Sequence, residues 1–363
     1  MATIITTVDG LKAIASGMSG DYELGADIDL SGVDWIPLGA SADHSSFTKF
    51  TGKFDGKGYT ISNLNINLNV RSTAIYAGLF AKVGSCTISN LVIKNAIIRV
   101  EGYNPHVGML TGYGDNPKYT NITNVSVDGE FWVTHLTSTV SGTPSVAGLI
   151  GYINGGTTVN ITDCISTVRM HVYGCENTLE VAGFIGYGNT LKLTRCFAFG
   201  GIMVETTQDS GINVSGMMSS CNYTEHVDCA SAVNVHGAIN YTVNTCGKYL
   251  TSSKGTAVTR RVWNGSTVSY ESVADTEVIL LSQDEFVALT AGNASAYNTD
   301  NVDFANRNYF KLAIDESESS SGDNESTAYN ITFMGQTFNG VKKVVYNGTV
   351  LKTLKLNGTD YIF

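Results

Sequence analysis

Two short phrases recur along most of this chain, and repetition at their spacing leaves few folds open to it. The first reads Ala147-Gly148-Leu149-Ile150-Gly151-Tyr152 and returns as Ala77-Gly78-Leu79-Phe80, Val107-Gly108-Met109-Leu110, Ala182-Gly183-Phe184-Ile185-Gly186-Tyr187 and Ser215-Gly216-Met217-Met218. The second reads Ile161-Thr162-Asp163-Cys164 and returns at Ile61–Leu64, Ile88–Leu91, Ile122–Val125, Leu193–Cys196 and His226–Cys229. Its starts are separated by 27, 34, 39, 32 and 33 residues. Self-similarity in this range marks a solenoid or an array, in which each unit buries its apolar face against the next. The phrases are short, β-branched and punctuated by Gly, Asn and Asp, which suits strands with tight bends and not pairs of helices. An all-β parallel β-helix is therefore expected. Stacked at roughly 4.8 Å, the recognised coils would form a rod on the order of 30 Å long. Within the first phrase the Gly serves where backbone turns or packs closely, and the two apolar residues after it fill the interior.

The fourth position of the second phrase holds Leu64, Leu91, Val125, Cys164, Cys196 and Cys229. We expect these side chains to form one inward stack, with the three cysteines as small buried hydrophobes carrying free thiols. Seven cysteines are an odd number, and disulfide geometry is restrictive for side chains stacked in register. His226 and Cys229 suggest half of a zinc site, but residues three apart on a strand face opposite sides, and no CxxC or HxxxH pair completes it. No metal site is expected.

At 43% hydrophobic and 15% charged residues the chain can bury a large core. A net charge of −10 argues against nucleic acid as a partner, because phosphate neutralisation needs clustered Lys and Arg. No run of about 18 apolar residues exists, so membrane insertion is not expected. Met1 to Gly10 lacks a basic region followed by an apolar core, so no signal peptide for general secretion is expected.

Near the start, Leu11, Ile14 and Ala15 read as one face of a short helix, with Thr7 or Asp9 as its cap, closing the open edge of the first coil. There follow Tyr22–Gly32, Trp35-Ile36-Pro37-Leu38-Gly39 and the run Phe50–Leu64. This order, with the Gly-Leu-hydrophobic-Gly phrases behind it, resembles the GLUG-repeat proteins over roughly residues 1–250. Their coils are similar to the right-handed parallel β-helices of filamentous haemagglutinin-type adhesins and of some phage tail proteins. The resemblance implies a right-handed coil and supplies no shared active site. The second Gly of the phrase is absent at Ala81, displaced at Gly112 and replaced by Ser219 in the last coil, so the repeat decays toward the C-terminal end.

Farther on, Val278–Thr290 and Tyr309–Asp315 parallel the opening of the chain and read as a helical cap over the far end of the rod. Glu316–Ser326 is acidic, small and free of apolar residues, as in a flexible linker. Asn339-Gly340, Asn347-Gly348 and Asn357-Gly358 are hairpin-turn signals flanked by alternating apolar residues. The expected organisation is thus a parallel β-helix with its N-terminal cap over 1–275, a capping segment over 276–315, a linker over 316–327 and a small antiparallel β-meander over 328–363. A piece of about 35 residues cannot build much of a core, so an assembly or attachment role is expected for it. Such meanders look like those ending tail and virion proteins of phages infecting Gram-positive hosts.

For function, aromatic and polar residues alternate between coils. Tyr103, His106, Tyr119, Trp132, His135 and Tyr173 are the candidate ligand-binding residues, either as a stripe suited to sugar rings or as singly exposed aromatics. No Ser/His/Asp grouping, phosphate-cradling Gly loop or metal cluster stands out, and no cofactor is expected. Glu101, Asp128, Glu130, Glu180 and Glu205 lie near coil loops, and glycoside cleavage would need two carboxylates roughly 5–10 Å apart. The expected function is non-catalytic recognition of a bacterial surface polysaccharide by a phage tail receptor-binding protein, located on the virion or outside the cell. A polysaccharide depolymerase and a secreted bacterial adhesin are the alternatives. The likeness to phage receptor-binding proteins implies other virion or tail proteins as partners and a homotrimer as the assembled state.

Overall fold

The structure is a computed structural model that describes residues 1–71, 74–136, 142–155, 158–173, 179–205, 212–236 and 241–243 continuously, and beyond them the strands, helix and short segments named below. Residues 1–311 and 312–363 are two units. In the first unit the strands of successive coils pair in parallel, and the chain is a parallel β-helix. The second phrase lies in a large sheet, where Ile122 pairs with Ile88 and Ile161, Ile161 with Leu193, and Leu193 with His226. The residues preceding the first phrase's Gly form a second, six-stranded parallel sheet from Ile75–Ala77 to Tyr241–Val243. The core lies between the sheets and is one continuous apolar cluster from Ile5 to Val233.

The second phrase departs from simple strand alternation. Its first and fourth residues are both buried, as in Ile88 with Leu91, Ile161 with Cys164, and His226 with Cys229. The cause is the third residue. Asn63, Asn90, Asn124, Asp163, Arg195 and Asp228 all have positive φ, between 49° and 58°, which turns the chain so that the next side chain points inward again. Asn and Asp tolerate this left-handed conformation better than most residues. Their side chains link coil to coil outside the core: Asn63 Nδ2 donates to Asp29 Oδ1 (2.8 Å), Asn90 Nδ2 to Asp55 Oδ1 (3.0 Å) and Asn124 Nδ2 to Asn90 Oδ1 (3.1 Å). Arg195 is held there by Asp163, through Nε to Oδ1 (2.5 Å) and Nη2 to Oδ2 (2.9 Å). The expectation that His226 and Cys229 face opposite sides is therefore corrected, and His226 occupies a core position that Leu193 and Ile161 fill in earlier coils. Among the described residues no group of three or more metal-ligating side chains gathers.

Leu64, Leu91, Val125, Cys164, Cys196 and Cys229 are all fully buried in the one core. The three cysteines are free thiols. Burial pushes the Cys196 and Cys229 thiols well above the ordinary range, and the Cys196 thiol lies 3.4 Å from the Ile161 carbonyl.

The first phrase's Gly is required by backbone proximity. A Cβ at Gly78, Gly148 or Gly183 would overlap the carbonyl oxygen of Gly108, Gly183 or Gly216 in the next coil. Where Ser219 replaces the second Gly, its hydroxyl donates to Glu180 Oε2 at 2.5 Å. Burial raises the Glu180 carboxyl pKa, partly offset by hydrogen bonds from Ser219 and Asn213.

At the N-terminal end, Thr7 Oγ1 caps the helix Val8–Ala13 by accepting from Gly10 N (3.1 Å), and Leu11 and Ile14 are fully buried. The strand Val258–Trp263 touches the parallel stack at Val235 and then pairs antiparallel with Val268–Val273. Of the segment read as a cap over the far end, the described residues between Gln283 and Phe304 lie along the flank of the coils. Phe286 of the helix Gln283–Leu289, with Tyr297 and Phe304, packs on the outward-facing Phe197 and Phe199. The Tyr297 hydroxyl reaches Asp163 Oδ1 (3.1 Å), and Lys94 Nζ contacts Asp300 Oδ2 (2.5 Å). Its position follows from the aromatic outward positions of those coils, which need cover. Residues 305–328, including the expected linker, lie outside the described residues.

Among its described residues the second unit has antiparallel strand pairs Tyr329–Phe333 with Gln336–Val341, Val344–Tyr346 with Thr349–Leu351, and Thr353–Leu356 with Thr359–Ile362. Among the described residues these strands pair as antiparallel two-stranded sheets. Asn339-Gly340 lies within a strand, where a register shift between Tyr329 and Ile331 absorbs the local irregularity.

Candidate functional site

The long strands Thr87–Gly102, Thr120–His135, Ile165–Tyr173 and Phe197–Glu205 lie side by side and in register. Ile98, Val100, Phe131, Val133, Met170 and Val172 point into the core. Alternation then places Arg99, Trp132, His171 and Met203 in one outward column. Ile97, Glu130 and Arg169 stand in the column on one side, and Glu101, Thr134 and Tyr173 in the column on the other. The flank segment covers the positions beyond the first of these, at Ile165 and Phe199, and so borders the face lengthwise.

At the centre, Trp132 and His171 stack with ring centroids 4.0 Å apart and planes 3° from parallel. Burial, reinforced by the neighbouring Arg169 charge, lowers the His171 pKa to about 4, so the ring is neutral at pH 7. Its Nε2 lies 3.8 Å from Glu130 Oε1, too long for a hydrogen bond, and a neutral ring makes no ion pair. Arg71 Nη2 pairs with Glu101 Oε1 at the margin of the face. Among the described residues Arg99 has no ion-pair partner, which leaves its planar fork of donors available. The face thus combines an aromatic pair with guanidinium, carboxylate and hydroxyl groups, set about 4.8 Å apart by the strand spacing.

Of the six residues expected to bind, the structure brings Trp132 and Tyr173 together on this face. His135 is buried on the core side of the same strand. Tyr103 is half-buried beyond the end of the Thr87–Gly102 strand, and Tyr119 is 81% exposed at a positive-φ corner just before Thr120. His106 is buried in the second sheet, where burial, reinforced by the Lys82 charge, lowers its pKa to about 3. His171, Arg99 and Glu130 complete the face. Trp132 to His171 spans the same 39 residues as Ile122 to Ile161, so adding the phrase spacing to Trp132 locates its partner.

A second aromatic array was hidden in the ends of the first phrase. Tyr113, Tyr152 and Tyr187 follow the second Gly of successive coils and stack at 5.4 Å and 4.5 Å, with planes 5° and 11° from parallel. Tyr76 stacks on His106 at 5.5 Å, and Lys82 Nζ lies over the Tyr76 and Tyr113 rings at 4.5 Å and 5.1 Å. In-register rings a coil apart occupy one another's faces and present rims to solvent, so this ladder bonds coil to coil. Of the carboxylates considered for catalysis, Glu101 and Glu180 are engaged as described, and Asp128 accepts from Asn95 N at 3.3 Å.

No protein-family model matches the chain. Over 110 residues, 30% of the chain, it is 38% identical to halomucin of Haloquadratum walsbyi, and that stretch is 1% of halomucin's length. Among solved structures it is similar to a Bacteroides ovatus protein provisionally assigned as an immunoglobulin A1 protease, at a TM-score of 0.47 and 20% identity, covering 64% of this chain and 67% of that one. It is also similar to an IgA1 protease, at a TM-score of 0.42 and 17% identity, covering 74% of this chain and 22% of that one. Neither likeness bears on chemistry. No helix among the described residues is long and apolar enough to cross a membrane.

Proposed function

We propose that the rod is a non-catalytic receptor-binding protein that recognises a bacterial surface glycan through the Trp132–His171 face, as the host-contacting part of a phage tail or tail-like particle. The observation that carries this reading is the stacked pair at 4.0 Å, set among Arg99, Glu130, Arg169 and Tyr173 on a regular sheet. A sugar unit presents apolar C–H faces and a rim of hydroxyls. The outward edges of the stacked rings give the first an apolar contact, and guanidinium and carboxylate groups hydrogen-bond the second. Residues 328–363 would attach the rod to other virion or tail proteins. A homotrimer would raise weak single-site contacts by avidity of about 10²–10⁴-fold if its sites engage together. The local likeness to halomucin, a mucin by name, favours a second reading, an extracellular adhesin using the same face.

The test is an array of purified bacterial polysaccharides. Retention of at least one polymer without release of new reducing ends is expected. Trp132→Ala should weaken that retention at least tenfold while the far-UV circular dichroism stays that of the wild type. Failure of every polymer to bind, or wild-type binding by the variant, would overturn the assignment of this face. Release of reducing ends would make the protein a depolymerase.

A further inference from the structure

The outward columns continue from Arg99 toward the N-terminal end of the rod. Asn67 pairs with Arg99 and Asn69 with Glu101, while Asp34 bridges to Asn65 in the column that leads to Ile97 and Glu130. Beside this strand lies an open cleft of about 330 Å³, lined on one side by Asn67 and Asn69 and on the other by Asp34, Trp35, Asp43 and His44. That volume is at the lower end of the range for small-ligand sites, about 300–1,000 Å³. Asn67 and Asn69 are exposed, Trp35 and His44 are buried in its walls, and burial lowers the His44 pKa. Among the described residues no lysine or arginine lines the cleft. Besides the buried His44 and Trp35, its polar side chains are two carboxylates and two amides. Asp34 already accepts from Asn65, Asp43 from Ser41 and Ser45, and Asn69 is bonded to Glu101 and Arg71. The remaining carboxylate lone pairs and the Asn67 amide suit hydroxyls or an ammonium and repel a carboxylate or phosphate.

The cleft is continuous with the aromatic face and not a separate feature. From Asn67 through Arg99 and Trp132 to His171 is three strand steps, or about 14 Å, a span that a single sugar ring does not cover. The flank segment confines the accessible strip to a band whose long direction crosses successive coils. We infer that the cleft is a second sugar subsite, taking a neutral or amine-bearing unit, and that the ligand is a linear polysaccharide lying along the rod axis across both subsites. This rests on the reading of the Trp132 face as glycan-binding and deepens it.

The experiment uses the full chain and size-fractionated oligosaccharides from partial hydrolysis of the polymer best retained on the array, with affinities measured by calorimetry. The expected result is an affinity that rises at least tenfold from the disaccharide to the hexasaccharide. Asn67→Trp, which fills the cleft from an exposed position, should remove that rise and leave disaccharide affinity unchanged. Asn67→Ala should remove part of it, and Trp132→Ala should weaken both lengths. Equal affinity for short and long oligomers, with binding still dependent on Trp132, would overturn the second subsite and leave the first standing. So would a hexasaccharide affinity unchanged by Asn67→Trp. Absence of any binding on the array would overturn both.

Discussion

His226 is a titratable group in a position that the repeat otherwise gives to an aliphatic side chain, and its effect on stability can be worked out. It is 1% exposed and in register with Leu193. Burial lowers its pKa to about 4 from the 6.5 of a free histidine. The unfolded chain therefore takes up a proton at a higher pH than the folded one. The stabilisation is fully present above pH 6.5 and is lost progressively as pH falls toward 4. At about 1.4 kcal/mol per pH unit, His226 alone removes about 2 kcal/mol between pH 6.5 and pH 5. His106, lowered to about 3, and His171, lowered to about 4, act in the same direction. His226→Leu removes one of these proton linkages while keeping an apolar side chain like that of Leu193. Urea unfolding followed by circular dichroism at pH 7 and pH 5 should show the variant losing about 2 kcal/mol less than the wild type over that interval. Equal losses in the two proteins would refute the assignment of a buried, neutral His226.

Three further outcomes are expected. Cys196→Asp should leave no folded rod at neutral pH, because an unpaired buried charge costs several kcal/mol, whereas Cys196→Val should lower stability by less than about 1.5 kcal/mol in the same urea titration. Gly183→Ala should destabilise by about 1–3 kcal/mol or more, since its Cβ would meet the Gly216 carbonyl; a melting temperature equal to that of the wild type would show that the coils can move apart there. A chain ending near Ser317 should keep wild-type oligosaccharide affinity and lose oligomerisation in light scattering, whereas full assembly with lost binding would reverse the roles given to the two ends.

The repeat made the fold legible from sequence, because phrases of this length and composition have one economical way to bury their apolar residues, as stacked parallel coils. The inward stack from Leu64 to Cys229 and the helix capped by Thr7 were readable on the same grounds, since both depend on residues close together in the chain. What the sequence alone did not disclose depends on how one coil lies on the next. Period-two alternation put His226 and Cys229 on opposite sides, and the left-handed conformation of Asp228 put both inside. The register shift between Val127 and Gly129 changes the spacing between paired positions of adjacent strands from 34 residues to 33 and so brings Trp132 opposite Arg99. The tyrosines after each second Gly lie more than 30 residues apart in sequence, and only coil spacing makes them a stack. The flank segment could be recognised as helical from its own residues, but its place was decided by Phe197 and Phe199, outward-facing aromatics distant in the chain. Local propensity determines which residues turn and which extend; the packing of coils against one another decides which side chains share a face.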